Sequence, residues 1–355
     1  MQKYVWAIAG GLLAVSTGCS GAGTTANPSM SMQQQTIVNR GGQSAPAGAW
    51  TIEKPLPMPL AGAAAVYDGF NFPVLFGGES AQKHAQRNTL YEGDFFNWTK
   101  APPLLHARSL LAAAWTGGYF GNRLYAIGGI DNGKVVGTLE ALNEDKNQRY
   151  ELPPMPTPRY ALGADGNFGS AAIAIGGADS QGNALNTAEA FNAADRTWRE
   201  LAPMPTARYG LSVVSENGAR GLHVVIFAIG GKNASGVLNT VEAYDPKTNR
   251  WKTVAPMPTA RYFAGAAQSN IPNTPGFIVA GGIDAKGNVL NTVEEYDAVH
   301  NTWTTLPPLH IARYQIAAVQ DMNGDVLAIG GIDASGKVSD AVEAYNPLST
   351  PAPAR

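Results

Sequence analysis

The chain has 355 residues, a formal net charge of −2 and only 15% charged residues. It carries no basic block, which removes the electrostatic case for nucleic-acid binding. Glycine (41) and proline (24) are abundant while 45% of residues are apolar, a composition that excludes disorder and describes a turn-rich fold with a real core.

Taken in chain order, residues 1–18 read as a signal peptide. Lys3 is a minimal positive start, and "YVWAIAGGLLAV" at 4–15 is an apolar run of 12, too short to span a bilayer. "STGC" follows at 16–19, and Cys19 is the only cysteine, so it has no intramolecular partner. A small residue before Cys, just after an apolar run, resembles the lipobox of bacterial lipoproteins. That resemblance implies lipid attachment at Cys19, although Ser16 stands where the family usually has Leu. Ordinary cleavage after Ala22 is the alternative. Ser20 is not the Asp that resembles an inner-membrane retention signal, so the expected location is the outer membrane. Residues 19–48 are small, polar and aperiodic, a flexible linker that would hold a folded domain off the membrane.

From residue 49 to 347 the text repeats. Six apolar runs end in a glycine doublet: Gly77–Gly78, Gly128–Gly129, Gly176–Gly177, Gly230–Gly231, Gly281–Gly282 and Gly330–Gly331, at spacings of 51, 48, 54, 51 and 49. A turn follows each doublet, then a run like "LNTVEAYDP", then a strand with an aromatic residue. Trp98, Trp198, Trp251 and Trp303 fill that slot, with Tyr150 in the second repeat. A proline-rich crossing like "APMPTARY" (202–209 and again 255–262) leads onward. Four short runs per unit, separated by turn residues, predict four antiparallel strands.

Gly-Gly, Glu/Tyr and Trp at these offsets, with a period near 50, closely resemble the Kelch repeat over essentially the whole segment 49–347. The resemblance implies an all-β, six-bladed β-propeller. Physical reasoning agrees, since a four-stranded sheet apolar on both faces buries itself only between neighbours. The last repeat lacks its Trp strand, whereas "AWTIEKPLPMPL" at 49–60 supplies Trp50 and a proline segment. Residues 49–53 are therefore predicted to close the sixth blade as its outer strand. Residues 348–355 form a tail.

With strands lettered a to d outward from the channel, "PMPTARY" is the d–a connection and the turn after Gly-Gly is the b–c connection, so both lie on one face. Arg108, Arg159, Arg208, Arg261 and Arg313 recur at the start of strand a; the first repeat is read as having Gly62 there. One reading makes them, with Tyr160, Tyr209, Tyr262 and Tyr314, a ring of ligand contacts, since Arg binds carboxylates in planar, bidentate fashion. In ligand-binding Kelch propellers, arginines at this place grip acidic peptide side chains, and the resemblance extends that expectation here. The preferred reading is structural. Glu140, Glu189, Glu242, Glu294 and Glu343 recur near the start of strand c, within reach of the arginines across the glycine doublet. The first repeat lacks the Arg and has Tyr91 at the Glu slot, as a lost pair would.

Gly-Gly is read as backbone chemistry rather than phosphate binding, and Trp50, Trp98, Trp198, Trp251 and Trp303 as outer-strand packing. Asp131, Asp179, Asp284 and Asp333 are turn residues without calcium-loop spacing. The five histidines show no ligand pairing, so no metal and no cofactor are expected. The first b–c turn, "ESAQKHAQR" at 79–87, departs from the others and brings Lys83, His84 and Arg87 to the mouth face.

These observations favour a non-enzymatic binding propeller, monomeric and tethered to the envelope by lipid alone. Its expected partner is an unidentified protein, an acidic peptide or an envelope glycan. Two alternatives stand beside it. One is a periplasmic enzyme similar to N-acetylneuraminate epimerase, a six-bladed Kelch mutarotase, for which acid and base groups that break the repeat would be needed. The other is a structural component of the envelope.

Overall fold

Six four-stranded antiparallel sheets make up the fold in the computed structural model. It describes residues 48–67, 73–80, 86–87, 90–93, 97–117, 123–143, 148–168, 171–217, 224–271 and 274–347. The signal-peptide, Cys19 and tail expectations, with Lys83 and His84, lie outside these residues. No α-helix occurs among the described residues.

Five sheets are each built from one continuous stretch. Their innermost strands a are Ala64–Tyr67, Ala112–Thr116, Gly163–Phe168, Ser212–Asn217 and Gly265–Ile271. The sixth sheet is composite: strand a is Ala317–Gln320, b is Val326–Ile329, c is Val342–Tyr345, and the outer strand d is Trp50–Ile52 from the other end of the chain. Trp50 pairs with Tyr345 and Ile52 with Glu343, so the N-terminal strand completes the last sheet as its sequence suggests.

The core is divided into six apolar layers, each between two neighbouring sheets. The last of them joins the sixth sheet to the first through Val319, Leu327, Leu75 and Tyr91, closing the ring. Strand c shows how the sequence does this. In "VEAYD", Val241 and Ala243 pack toward the fifth sheet while Tyr244 packs toward the third. Period-2 alternation sends successive side chains to opposite faces, and both faces are covered.

The outer aromatic residues tie adjacent sheets together. Trp251 stacks on Tyr244 at 5.1 Å and its indole N–H donates to the Ala202 carbonyl at the end of the preceding sheet, 2.8 Å away. Trp50, Trp198 and Trp303 repeat that bond to Pro307, Pro153 and Ala255. In the first sheet Trp98 instead lies over Gly93, where a Cβ would be 3.0 Å from the indole.

The glycine doublets are required by backbone angle and by space. The first glycine of each has φ between +58° and +67° and the second between +92° and +102°. A Cβ on Gly128 would sit 2.7 Å from the Arg159 carbonyl oxygen, a collision with rigid backbone.

Candidate functional site

The channel mouth on the d–a and b–c face is built in three layers. The innermost is made of backbone alone. Two residues past the Arg position the chain turns into positive φ in every repeat: Gly62, Leu110, Ala161, Gly210, Phe263 and Gln315 range from +50° to +61°. Each N–H donates to the carbonyl of the equivalent residue in the preceding sheet: Leu110 to Gly62, Ala161 to Leu110, Gly210 to Ala161, Phe263 to Gly210, Gln315 to Phe263 and Gly62 to Gln315, at 2.7–3.1 Å. The result is a closed cycle of six hydrogen bonds. It passes through six sheets and returns to its start, and it sets the sheets at one radius.

This cycle corrects the reading of Gly62, which belongs to the cycle and not to the Arg position. The first-repeat counterpart of the arginines is Leu60. Its carbonyl accepts from Gly331 N–H at 2.8 Å, as the Arg208 carbonyl accepts from Gly177 at 2.9 Å. Tyr91 does occupy the Glu position, pairing with Leu75 where Glu140 pairs with Ala126. Leu60, Tyr91, Leu56 and Leu75 belong to one apolar cluster.

The second layer is the five Arg–Glu pairs. Arg108–Glu140, Arg159–Glu189, Arg208–Glu242, Arg261–Glu294 and Arg313–Glu343 lie at 2.8, 2.9, 2.7, 2.5 and 2.8 Å. All five arginines are 0–1% exposed. Arg208 also donates from Nη1 to the Thr240 carbonyl (3.1 Å) and from Nη2 to the Ala228 carbonyl (3.3 Å). Its backbone bonds the third sheet and its side chain the fourth, so each such arginine clamps two sheets. Burial holds the Arg159 and Arg208 pKa down to about 10, against the pull of Glu189 and Glu242. The glutamates also accept from the proline crossing: Thr157, Thr206 and Thr259 hydroxyls donate to Glu189, Glu242 and Glu294. In the sixth sheet His310 does so from its backbone, with Nδ1 also 2.8 Å from Glu343. In the second, backbone N–H groups of Leu105 and His106 donate to Glu140. The guanidinium groups therefore offer no face to a ligand at the mouth. As a ligand ring they are misplaced, because every one is engaged below the surface.

The third layer is the rim. Tyr160, Tyr209, Tyr262 and Tyr314 are half-buried on four consecutive sheets. Tyr209 and Tyr262 meet edge to face at 6.5 Å, and Lys232 Nζ lies 5.2 Å from the Tyr262 ring. The arc breaks at the first and second sheets, where Ala61 and Ser109 hold the equivalent bridges. Burial raises the Tyr160 and Tyr314 pKa, with neighbouring Tyr209 and Tyr262 adding to it. Asp179 and Asp284 cap their own turns, each accepting from two backbone N–H groups. Hydrogen bonds to Asn183 and Asn288 hold the two carboxyls below the usual range. Arg87 donates to the buried Ser80 hydroxyl at 2.6 Å, pinning the end of the divergent first turn. Among the described residues, no three His, Cys, Asp or Glu side chains come together as a metal site.

Sequence reasoning missed the backbone cycle because its residues share a torsion angle and no chemistry. Only Gly62 and Gly210 hint at it. The threonines were visible inside "PMPTAR", two residues before the Arg, as the one hydroxyl positioned to reach a buried carboxylate.

This ring of sheets, stapled by glycine doublets, Arg–Glu pairs and outer tryptophans, defines a β-propeller of Kelch repeats. The chain belongs to the Kelch-repeat family: residues 115–331 match the family described as the KLHDC2/KLHL20/DRC7 Kelch-repeats domain. It is similar to Kelch-like protein 41a of Danio rerio (31% identity over 154 residues, 43% of this chain and 24% of that protein). It is also similar to beta-scruin of Limulus polyphemus (30% over 216 residues, 56% and 22%). The matches therefore span a quarter or less of those relatives' lengths. Among solved structures, that of YjhT covers 82% of this chain and 99% of its own at a TM-score of 0.66; at 17% identity the likeness is one of fold.

Proposed function

We propose that this protein is a non-enzymatic binding propeller whose partner docks on the rim of the d–a and b–c face. The observation that carries this reading is the arc of four half-buried tyrosines on consecutive sheets, with Lys232 among them. Tyrosine combines a large apolar face with a polar tip and is enriched where proteins meet. The family supports a protein as the partner, and the rim chemistry favours an aromatic-binding peptide or loop over an acidic one, because the arginines are withheld. We further propose that the propeller is exported and held at the bacterial envelope by lipid on Cys19. The apolar run 4–15 and "STGC" support that tether.

Replacing both Tyr209 and Tyr262 with Ala tests the docking reading. Partners retained by the intact chain from envelope extracts are expected to be lost with the variant, while its melting curve stays within a few degrees. Equal retention by both proteins would refute rim docking. For the tether, Cys19→Ala is expected to move the protein from the membrane fraction to the soluble one; an unchanged distribution rules the anchor out. The epimerase-like reading has less support, because among the described residues no Arg or Lys lines the channel cavity to pair with an acidic sugar.

A further inference from the structure

The opposite end of the channel holds a second, chemically different place. A cavity of about 390 Å³ lies between the six innermost strands, beyond the backbone cycle. Its volume falls in the range of about 300–1,000 Å³ typical of small-molecule pockets. All six strands a line the channel, and their residues form layers down its length. The first such layer is small, alanine in five sheets and Val213 in the fourth, which leaves room. Two residues further along, the repeat breaks. The channel-lining residues there are Tyr67, Trp115, Ser215, Gln268 and Gln320, and Gly166 stands in the third sheet with Asp165 beside it. A Cβ on Gly166 would strike the Trp115 carbonyl at 2.0 Å, so that sheet approaches closely.

The layer is two-sided. Tyr67 and Trp115, on the adjacent first and second sheets, give an aromatic wall. Facing them are amides and a hydroxyl. The Trp115 indole N–H is buried and finds no acceptor among the described residues. The polar side is held rigid: Asp165 accepts from the backbone N–H groups of Gly166 and Ser215 at 2.6 Å each, and the Gln268 amide donates to the Ser215 carbonyl. Asp165 also gives the cavity a negative group, and among the described residues no lysine or arginine lines it.

We propose that this cavity binds a neutral monosaccharide, with the C–H face of the sugar ring against Trp115 and Tyr67. Its hydroxyls meet the amides of Gln268 and Gln320. An aromatic wall opposite fixed polar groups suits a polyhydroxyl ring, which has one apolar face and polar edges. The Asp165 charge disfavours a sugar acid. The site is independent of the rim and does not rest on it.

The test titrates the full-length protein with glucose, galactose, mannose and N-acetylglucosamine, following calorimetric heat and tryptophan fluorescence. Glucosamine and N-acetylneuraminate serve as cationic and anionic probes. The expected result is saturable binding of at least one neutral sugar, weakened at least about tenfold in both Trp115→Phe and Gln268→Leu. Tyr209→Ala should leave it unchanged, and melting curves identify any variant that fails to fold; Gln320→Ala then takes its place. No saturable binding of a neutral sugar up to about 50 mM overturns the proposal. So does binding that the channel variants leave intact, or a preference for either charged probe.

Discussion

The first sheet and the other five solve one packing problem with opposite chemistry. Five sheets carry a buried Arg–Glu pair at the joint between neighbours, and the first carries Leu60 and Tyr91 at the same two positions. The backbone is indifferent to the choice: Leu60 receives the hydrogen bond from the glycine doublet that the arginines receive. Desolvating two charges offsets most of what their attraction returns, so a well-packed apolar pair of similar volume is often equivalent. The molecule thus contains its own control. What the joint requires is that both positions be filled by the same kind of group, and an unmatched charge is what it cannot hold.

The joint without an ion pair is also the joint closed by the N-terminal strand, and it is where the largest effect is expected. Deleting residues 49–53 removes strand d of the sixth sheet, including Trp50, which is 4% exposed and whose indole N–H donates to the Pro307 carbonyl. Loss of a buried tryptophan alone costs about 3–5 kcal/mol. Thermal unfolding should lose its single sharp transition and the radius of gyration should rise; a compact, cooperative deletion variant would show that strand to be dispensable. Next comes Arg208→Ala, which strands Glu242 in a site 1% exposed and should destabilise by about 3–5 kcal/mol in denaturant melts. Leu60→Ala at the equivalent place should cost about 2–4 kcal/mol by cavity formation alone. The double change Arg208→Leu with Glu242→Tyr copies the first sheet into the fourth. Recovery of most of the loss would establish that the two solutions are interchangeable; a sum of the single losses would refute it.

How far the sequence discloses this depends on what each feature is made of. The doublets, the tryptophans and the split sixth sheet are written in side chains with one job, and they were legible. Trp50 could be matched to the missing strand because its partner slot was empty in the last repeat. Leu60 was not legible as the counterpart of Arg208, since a leucine in an apolar crossing looks like any other, and Gly62 drew the comparison two residues away. The channel layer of Tyr67, Trp115 and Gln268 was hidden for the opposite reason. Its residues change from sheet to sheet, with glutamine shared only by the fifth and sixth, so no period marks them, and only the ring brings them together.

Between the fourth sheet and its neighbours lies a charge with a different fate. Glu216 is 5% exposed, and burial, with the Asp165 charge added, pushes its pKa up to about 9 from an ordinary 4.5. A raised carboxyl pKa means the native state holds a proton that the unfolded state releases. That contribution to stability is complete below about pH 4.5 and is lost as pH rises toward 9, at roughly 1.4 kcal/mol per unit. Glu216→Gln should flatten the fall between pH 5 and 8 measured by denaturant melts, whereas a parallel curve would place the titration elsewhere.

The smallest expected effect sharpens the comparison at the backbone cycle, where the first and fourth sheets agree against the others. Gly62 and Gly210 occupy a φ near +60° that Leu110, Ala161, Phe263 and Gln315 also adopt. For a residue with a Cβ that angle costs about 1–2 kcal/mol. Gly62→Ala adds this strain and places a Cβ 3.0 Å from the Leu110 side chain, so a loss of about 1 kcal/mol or more is expected. Ala161→Gly removes the strain but adds freedom to the unfolded chain, and these oppose each other at about 1 kcal/mol each. A net change within about 0.5 kcal/mol is expected there. If instead Ala161→Gly destabilised as much as Gly62→Ala, the cycle would be held by its side chains. Six residues of five different types at one torsion angle argue that the closed run of N–H to carbonyl bonds holds it.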